Sequence, residues 1–310
     1  MTVGLAVLGT GRIVETGYVP AVEAARGAEL VAILSRDQAR GEDAARKFSI
    51  DAAYSDLDQL LADPKVDAVI VATPDGLHEE QVIAAARAGK HILCEKPMAV
   101  SVAACERMAE AVAKAGIVFA MGYDNRFNPG LIRVKQLIDE DAVGPVRLAR
   151  AYATSAVSNP GNWRARGEQS AYWALSAVGT HVIDVYRWFF GDPASIGGGH
   201  GAFVHDVPTD EISIVVMNYP GRLLAEVTCT SVLPSSQSFE IHGEKGSIIG
   251  DKMFGRTHRQ VQISFNGNTE TIAQQDPFIA EIEDFVGAIE GRNAPRSGLE
   301  DGIATLRIMD

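Results

Sequence analysis

The chain has 310 residues, with 40 acidic against 28 basic side chains, a formal charge of −12, 46% hydrophobic content and 22% charged residues. That balance suits a globular protein with a sizeable core, and the length suggests two domains. No basic block stands out and the acids are scattered along helical faces such as Glu42–Phe48, which argues against nucleic acid and membranes as partners.

Cys94, Cys105 and Cys229 form neither a metal-ligand spacing nor an even disulfide framework. A reducing compartment and no bound metal are therefore expected. The N-terminus lacks the basic and apolar regions of a signal peptide, and no stretch is long enough to span a bilayer. The expected location is the cytoplasm.

In chain order, apolar runs at 3–9, 29–34, 67–73, 91–95 and 117–122 read as strands. They lack strict alternation, as strands covered on both faces do. Helical segments are predicted over 12–26, 38–48, 76–89 and 101–115, with Asp56 and Ser101 as N-caps and Gly89 and Gly116 as stops. Such strand–helix repetition predicts an α/β domain, residues 1–121, built on a doubly wound parallel sheet.

From 122 the texture changes. Helices are predicted at 127–139 and 174–190, then strands at 147–156, 195–204, 211–219, 222–232, 237–242, 246–250 and 258–265. Pro220–Gly221 marks a hairpin and 243–247 a tight turn. Helices at 277–290 and 299–309 end the chain. The expectation is an α+β domain, residues 122–310, on a largely antiparallel open-faced sheet. One face of that sheet needs a cover, which predicts a homodimer or homotetramer.

Gly9 and Gly11 follow the first strand and precede a helix, where a Rossmann-type sheet needs glycine so that a pyrophosphate can approach the helix start. The third small position is Val14, so the fingerprint is incomplete, and a purely structural turn is the alternative. Thr10, Arg12 and Ile13 complete the cofactor turn. At the end of the second strand a carboxylate would bind the ribose of NAD. Here stand Ser35 and Arg36, a neutral group and a cation, which favours NADP; Asp37 swinging in for NAD is the alternative.

These motifs, with 69–78, 88–99, 122–129, 179–191 and 242–248, resemble the glucose–fructose oxidoreductase/inositol dehydrogenase (Gfo/Idh/MocA-like) family along nearly the whole chain. The resemblance implies that Lys96 binds the reacting oxygen of a sugar-like substrate, that Glu95 anchors the cofactor side, and that Pro97 follows a cis peptide. It implies that His181 exchanges the hydroxyl proton and that Asp184 binds substrate or orients the site. Thr73, Pro74 and His78 are expected along the cofactor, with Asn125 and Arg164 as further contacts. Arg126 and Trp163 are expected at the substrate, although an ion pair is an equal reading of Arg126.

The chain departs from that family where many members carry an aspartate four residues before the histidine: here the position is Ala177. A run of small glycines is replaced by residues 171–173. Tyr172 as a substitute acid and Trp173 as core are both open readings. The expected function is an NADP-preferring oxidoreductase of a sugar or polyol hydroxyl. The alternatives are a glycosidase or lyase using tightly bound cofactor transiently, and a cofactor-binding protein without catalysis.

Overall fold

A computed structural model describes residues 2–155, 159–234, 237–254 and 260–310. The chain divides into two compact units, Met1–Tyr123 with Phe278–Leu306, and Asp124–Pro277 with Arg307–Asp310.

The first unit alternates β1 (Val3–Leu8), α1 (Val19–Ala24), β2 (Ala28–Leu34), α2 (Gln38–Phe48), β3 (Ala52–Tyr54), α3 (Leu57–Leu61), β4 (Ala68–Val71), α4 (His78–Arg87), β5 (His91–Glu95), α5 (Val102–Ala115) and β6 (Phe119–Gly122). The strands pair in parallel in the order β3-β2-β1-β4-β5-β6. β1 is buried along its whole length, as its unbroken apolar run demands. Asp56 and Ser101 cap their helices through Gln59 N–H and Ala104 N–H. β3 is a three-residue, half-buried edge strand that carries too little periodicity to be read from sequence.

α1 is preceded by a π-helical turn, Val14–Tyr18, in which Val14, Gly17 and Tyr18 are buried. The Tyr18 ring is fully buried and meets Phe278 edge-on at 4.9 Å.

The expected second domain ran unbroken to residue 310, but residues 278–306 return to the first unit. The cause is the apolar face of α8 (Pro277–Ile289). Its Phe278, Ile282, Phe285 and Val286 complete the core formed by Tyr18, Val22, Ile33 and Ile70. Beyond it, Ser297 exchanges backbone and hydroxyl hydrogen bonds with Met121 on the free edge of β6. α9 (Leu299–Met309) ends the chain.

The second unit contains α6 (Pro129–Asp139), β7 (Val146–Thr154), α7 (Thr180–Phe190), β8 (Ser195–Gly201), β9 (Ile212–Tyr219), β10 (Leu223–Thr230), β11 (Ser238–Gly243), β12 (Ser247–Asp251), β13 (Gln260–Phe265) and β14 (Asn268–Ala273). Its sheet runs β14-β13-β12-β11-β7-β10-β9-β8, antiparallel except where β10 lies parallel to β7. Aromatic contacts seat α7 on one face: Phe190 on Tyr219 at 5.8 Å and Tyr186 on Phe239 at 6.2 Å. The other face exposes Ile214, Leu224 and Ile249. β14 was not foreseen, because five of its six residues are exposed and polar side chains dominate it. The start of the strand expected at 258–265 lies outside the described residues.

No helix among the described residues is long and apolar enough to cross a membrane, and no cluster of three or more metal-ligating side chains occurs among them.

Ile282 is fully buried in that first core. Ile282→Ala is expected to cost about 2–5 kcal/mol, measured by urea unfolding. A loss below about 1 kcal/mol would place α8 outside the core.

Candidate active site

The first group of candidate residues lies at the carboxyl ends of the parallel strands of the first unit. Gly9 has φ +115°, and a Cβ there would sit 2.8 Å from the Ala72 carbonyl oxygen, so only glycine fits between β1 and β4. At Gly11 a Cβ would meet nothing within 4 Å. Its carbonyl receives Val14 N–H at 3.0 Å and starts the helical segment. The turn thus keeps open space against a helix start, the shape a pyrophosphate requires, so these residues fit a dinucleotide. Arg12 is exposed and Ile13 half-buried on the same turn.

Beyond β2, Ser35 is buried and Arg36 exposed. Asp37 is engaged: its carboxylate accepts the Arg40 N–H at 2.9 Å as the N-cap of α2. Sequence reasoning missed Arg40, whose guanidinium crosses from α2 to the Thr10 carbonyl at 2.8 Å. The signal was available, since Arg40 stands four residues beyond Arg36, in the first turn of α2.

After β4, the Thr73 hydroxyl donates to Gln81 Oε1 at 2.6 Å and Pro74 enters a 3-10 turn, Asp75–Leu77. His78 is fully buried, with Nε2 3.0 Å from the Thr73 carbonyl and Nδ1 3.1 Å from the Pro97 carbonyl. Its ring braces the turn after β4 against the segment after β5. The Lys96–Pro97 peptide is cis.

Glu95 and Lys96 are each only 8% exposed at the end of β5. Glu95 accepts the Tyr18 hydroxyl at 3.0 Å on one oxygen and the Lys96 backbone N–H at 3.0 Å on the other. Behind them the Cys94 thiol is pushed far up by burial.

The second group belongs to the second unit. A 3-10 turn, Asp124–Phe127, is buried at all four positions, Asn125 included. Arg126 donates to Asp184 through Nε at 3.0 Å and Nη2 at 2.7 Å, with the Asp184 side chain wholly inaccessible. This two-pronged ion pair makes Asp184 and Arg126 each other's partners. One turn before Asp184 on α7, His181 Nδ1 lies 3.4 Å from Asp124 Oδ1, an ion-pair distance rather than a short hydrogen bond. Asp124 escaped sequence reasoning, because the run 122–129 marks only a strand end and a turn.

Trp163 and Arg164 sit in the 3-10 turn Trp163–Arg166, with the guanidinium stacked 4.0 Å over the indole. Trp173 is core, at 1% exposure. Tyr172 meets the His200 ring edge-on at 5.9 Å. Burial first, then the Asp310 and Asp210 carboxylates, raises its phenol, which makes it hold its proton more tightly. Asp210, also unforeseen, accepts Leu175 N–H at 3.0 Å, Trp173 N–H and the Ser213 hydroxyl, and so anchors the approach to α7. Burial raises its carboxyl, against those hydrogen bonds.

Comparison with known proteins adds the following. Residues 3–123 match the model described as "Oxidoreductase family, NAD-binding Rossmann fold" (GFO_IDH_MocA), and residues 131–249 match the "GFO/IDH/MocA C-terminal domain". The chain is 27% identical to D-xylose 1-dehydrogenase (NADP(+)) 2 of Haloferax volcanii, over 98% of this chain and 94% of that one. It is 27% identical to 1,5-anhydro-D-fructose reductase of Ensifer adhaerens, over 96% and 92%. A crystal structure of aldose-aldose oxidoreductase from Caulobacter crescentus complexed with glycerol superposes with a TM-score of 0.92 at 25% identity, covering 100% of this chain and 96% of that one.

The open space at Gly11 separates folding from binding. Gly11→Val is expected to leave the unfolding free energy within about 1 kcal/mol of wild type. The same change should weaken nicotinamide dinucleotide binding at least about tenfold, measured by calorimetry. Unchanged affinity would remove the turn from the cofactor site.

Proposed function

The chain belongs to the GFO/IDH/MocA family of NAD-binding oxidoreductases, and from that premise we propose that it moves a hydride between NADP and a CH–OH carbon of a sugar or polyol. The observation that supports this most is the burial of Glu95 and Lys96 together at the end of β5. Two charged groups are taken out of water there at a cost that an ordinary strand end does not bear.

Bound nicotinamide supplies the hydride acceptor or donor. The protein's own groups do the rest. Lys96 holds the substrate oxygen and offsets the negative charge that grows on it as the proton leaves. His181 accepts that proton as general base. Glu95, fixed by Tyr18, holds the Lys96 backbone, and His78 braces the loops on either side. Asp184 and Arg126 act as positioning residues through their mutual pair.

Several observations favour NADP over NAD. Ser35 closes β2 without a carboxylate, and one oxygen of Asp37 caps α2. Arg40 brings its guanidinium to the Thr10 carbonyl and Arg36 stands exposed just after β2, and a 2′-phosphate would accept from both. Asn125, Trp163 and Arg164 are assigned to the substrate and nicotinamide side. The sugar class rests on relatives named for xylose and anhydrofructose. The exposed apolar side chains on the second sheet support a homodimer or homotetramer.

The test is turnover on a panel of aldoses and polyols, D-xylose included, with NADP and NAD supplied separately. NADP-linked turnover on at least one member is expected, and Lys96→Met should lower kcat by about 10²–10⁴-fold. Arg40→Ala should raise the KM for NADPH about tenfold and leave that for NADH unchanged. Full turnover by Lys96→Met would overturn the role of Lys96; equal effects on both cofactors would overturn the preference.

A further inference from the structure

The chain departs from its family at Ala177, where the carboxylate expected to assist the histidine is missing. A carboxylate nevertheless reaches that histidine from a different element. Asp124, in the 3-10 turn after the sixth strand of the first sheet, puts Oδ1 3.4 Å from His181 Nδ1. The Asp124 side chain is 9% exposed and that of His181 19%, so water screens the contact poorly.

The arrangement around it is doubled. Asp124 and Arg126 stand two residues apart on the turn, and His181 and Asp184 stand three apart on one face of α7. The two-pronged Arg126–Asp184 bond, at 2.7 and 3.0 Å, fixes the register of the turn against the helix. With that register set, Asp124 meets the next group along the helix face. An arginine–carboxylate fork tolerates little sliding, so it holds the looser pair in place.

We propose that Asp124 is the positioning residue for His181, in place of the carboxylate that Ala177 lacks. It accepts the Nδ1–H, which leaves Nε2 unprotonated and able to take the substrate proton. It then faces the imidazolium that forms, and so favours the charged ring. Arg126 and Asp184 serve this contact and are not themselves the base. The inference rests on the reading of His181 as general base, and the experiment tests the two separately.

The full chain, ¹⁵N-labelled at histidine and free of ligand, is observed by long-range ¹H–¹⁵N correlation across pH, with His181 assigned from His181→Gln. Wild type should show the Nδ1–H tautomer. Asp124→Ala should lose that preference, and its His181 titration midpoint should fall, because an opposite charge has been removed from the charged ring. Asp124→Asn, which keeps the shape if the alanine variant folds poorly, should also lower the midpoint. In turnover, both variants should lose at least about tenfold in kcat with KM changed less than about twofold.

An unchanged tautomer and midpoint in the folded variants would overturn the proposal, whatever the activity. If instead His181→Gln kept full turnover while Asp124→Ala moved the tautomer, the pairing would stand and the general-base reading would fall.

Discussion

A carboxylate taken almost wholly out of water must be satisfied by the protein, and Glu95, at the end of β5, is one such group in the first unit. One of its oxygens takes the Tyr18 hydroxyl and the other the Lys96 N–H. A hydrogen bond to a charged group is worth about 1.5–3 kcal/mol, so these two hold the segment after β5 firmly. Tyr18 closes the π-helical turn, and Phe278 from the returning α8 packs against its ring. Gly122 completes the fit: a Cβ there would stand 3.1 Å from the Tyr18 hydroxyl and 3.2 Å from Glu95 Cα. Core packing, a helix irregularity and a glycine thus converge on the placement of one lysine.

The second unit handles its charges in the same manner. Leaving either Arg126 or Asp184 alone in the interior would cost about 3–5 kcal/mol. A buried ion pair is weak evidence for stability, yet strong geometry for orientation, and here it orients a turn against a helix. Asp210 does comparable work at the other end of that helix approach, where three donors meet its carboxylate. Both devices tie down chain segments next to His181 in the sequence.

Much of this was legible in the amino-acid order, for identifiable reasons. The parallel strands announce themselves as short apolar runs, and Asp56, Ser101 and Gly116 punctuate helices by local chemistry that needs no tertiary help. The glycine turn and the Glu-Lys-Pro segment are likewise local. What stayed hidden depends on contacts far apart in the chain. The return of α8 to the first core is invisible in its own periodicity, which states only that one face is apolar. Asp124 gains its meaning from His181, 57 positions later, and the cap that Asp37 makes is likewise seen only in the structure. β14 lacks an apolar face altogether, so its pairing with β13 carries the whole signal.

On the proposed function, a dinucleotide lies on the rim formed by the glycine turn, the turn after β4 and the segment after β5. Amide hydrogen exchange of the intact chain, with and without saturating NADPH, tests it most directly. Slowed exchange is expected at the amides of residues 9–15, 73–78 and 95–98, Pro74 and Pro97 having none. No slowing at those amides, or slowing confined to residues 124–277, would contradict it.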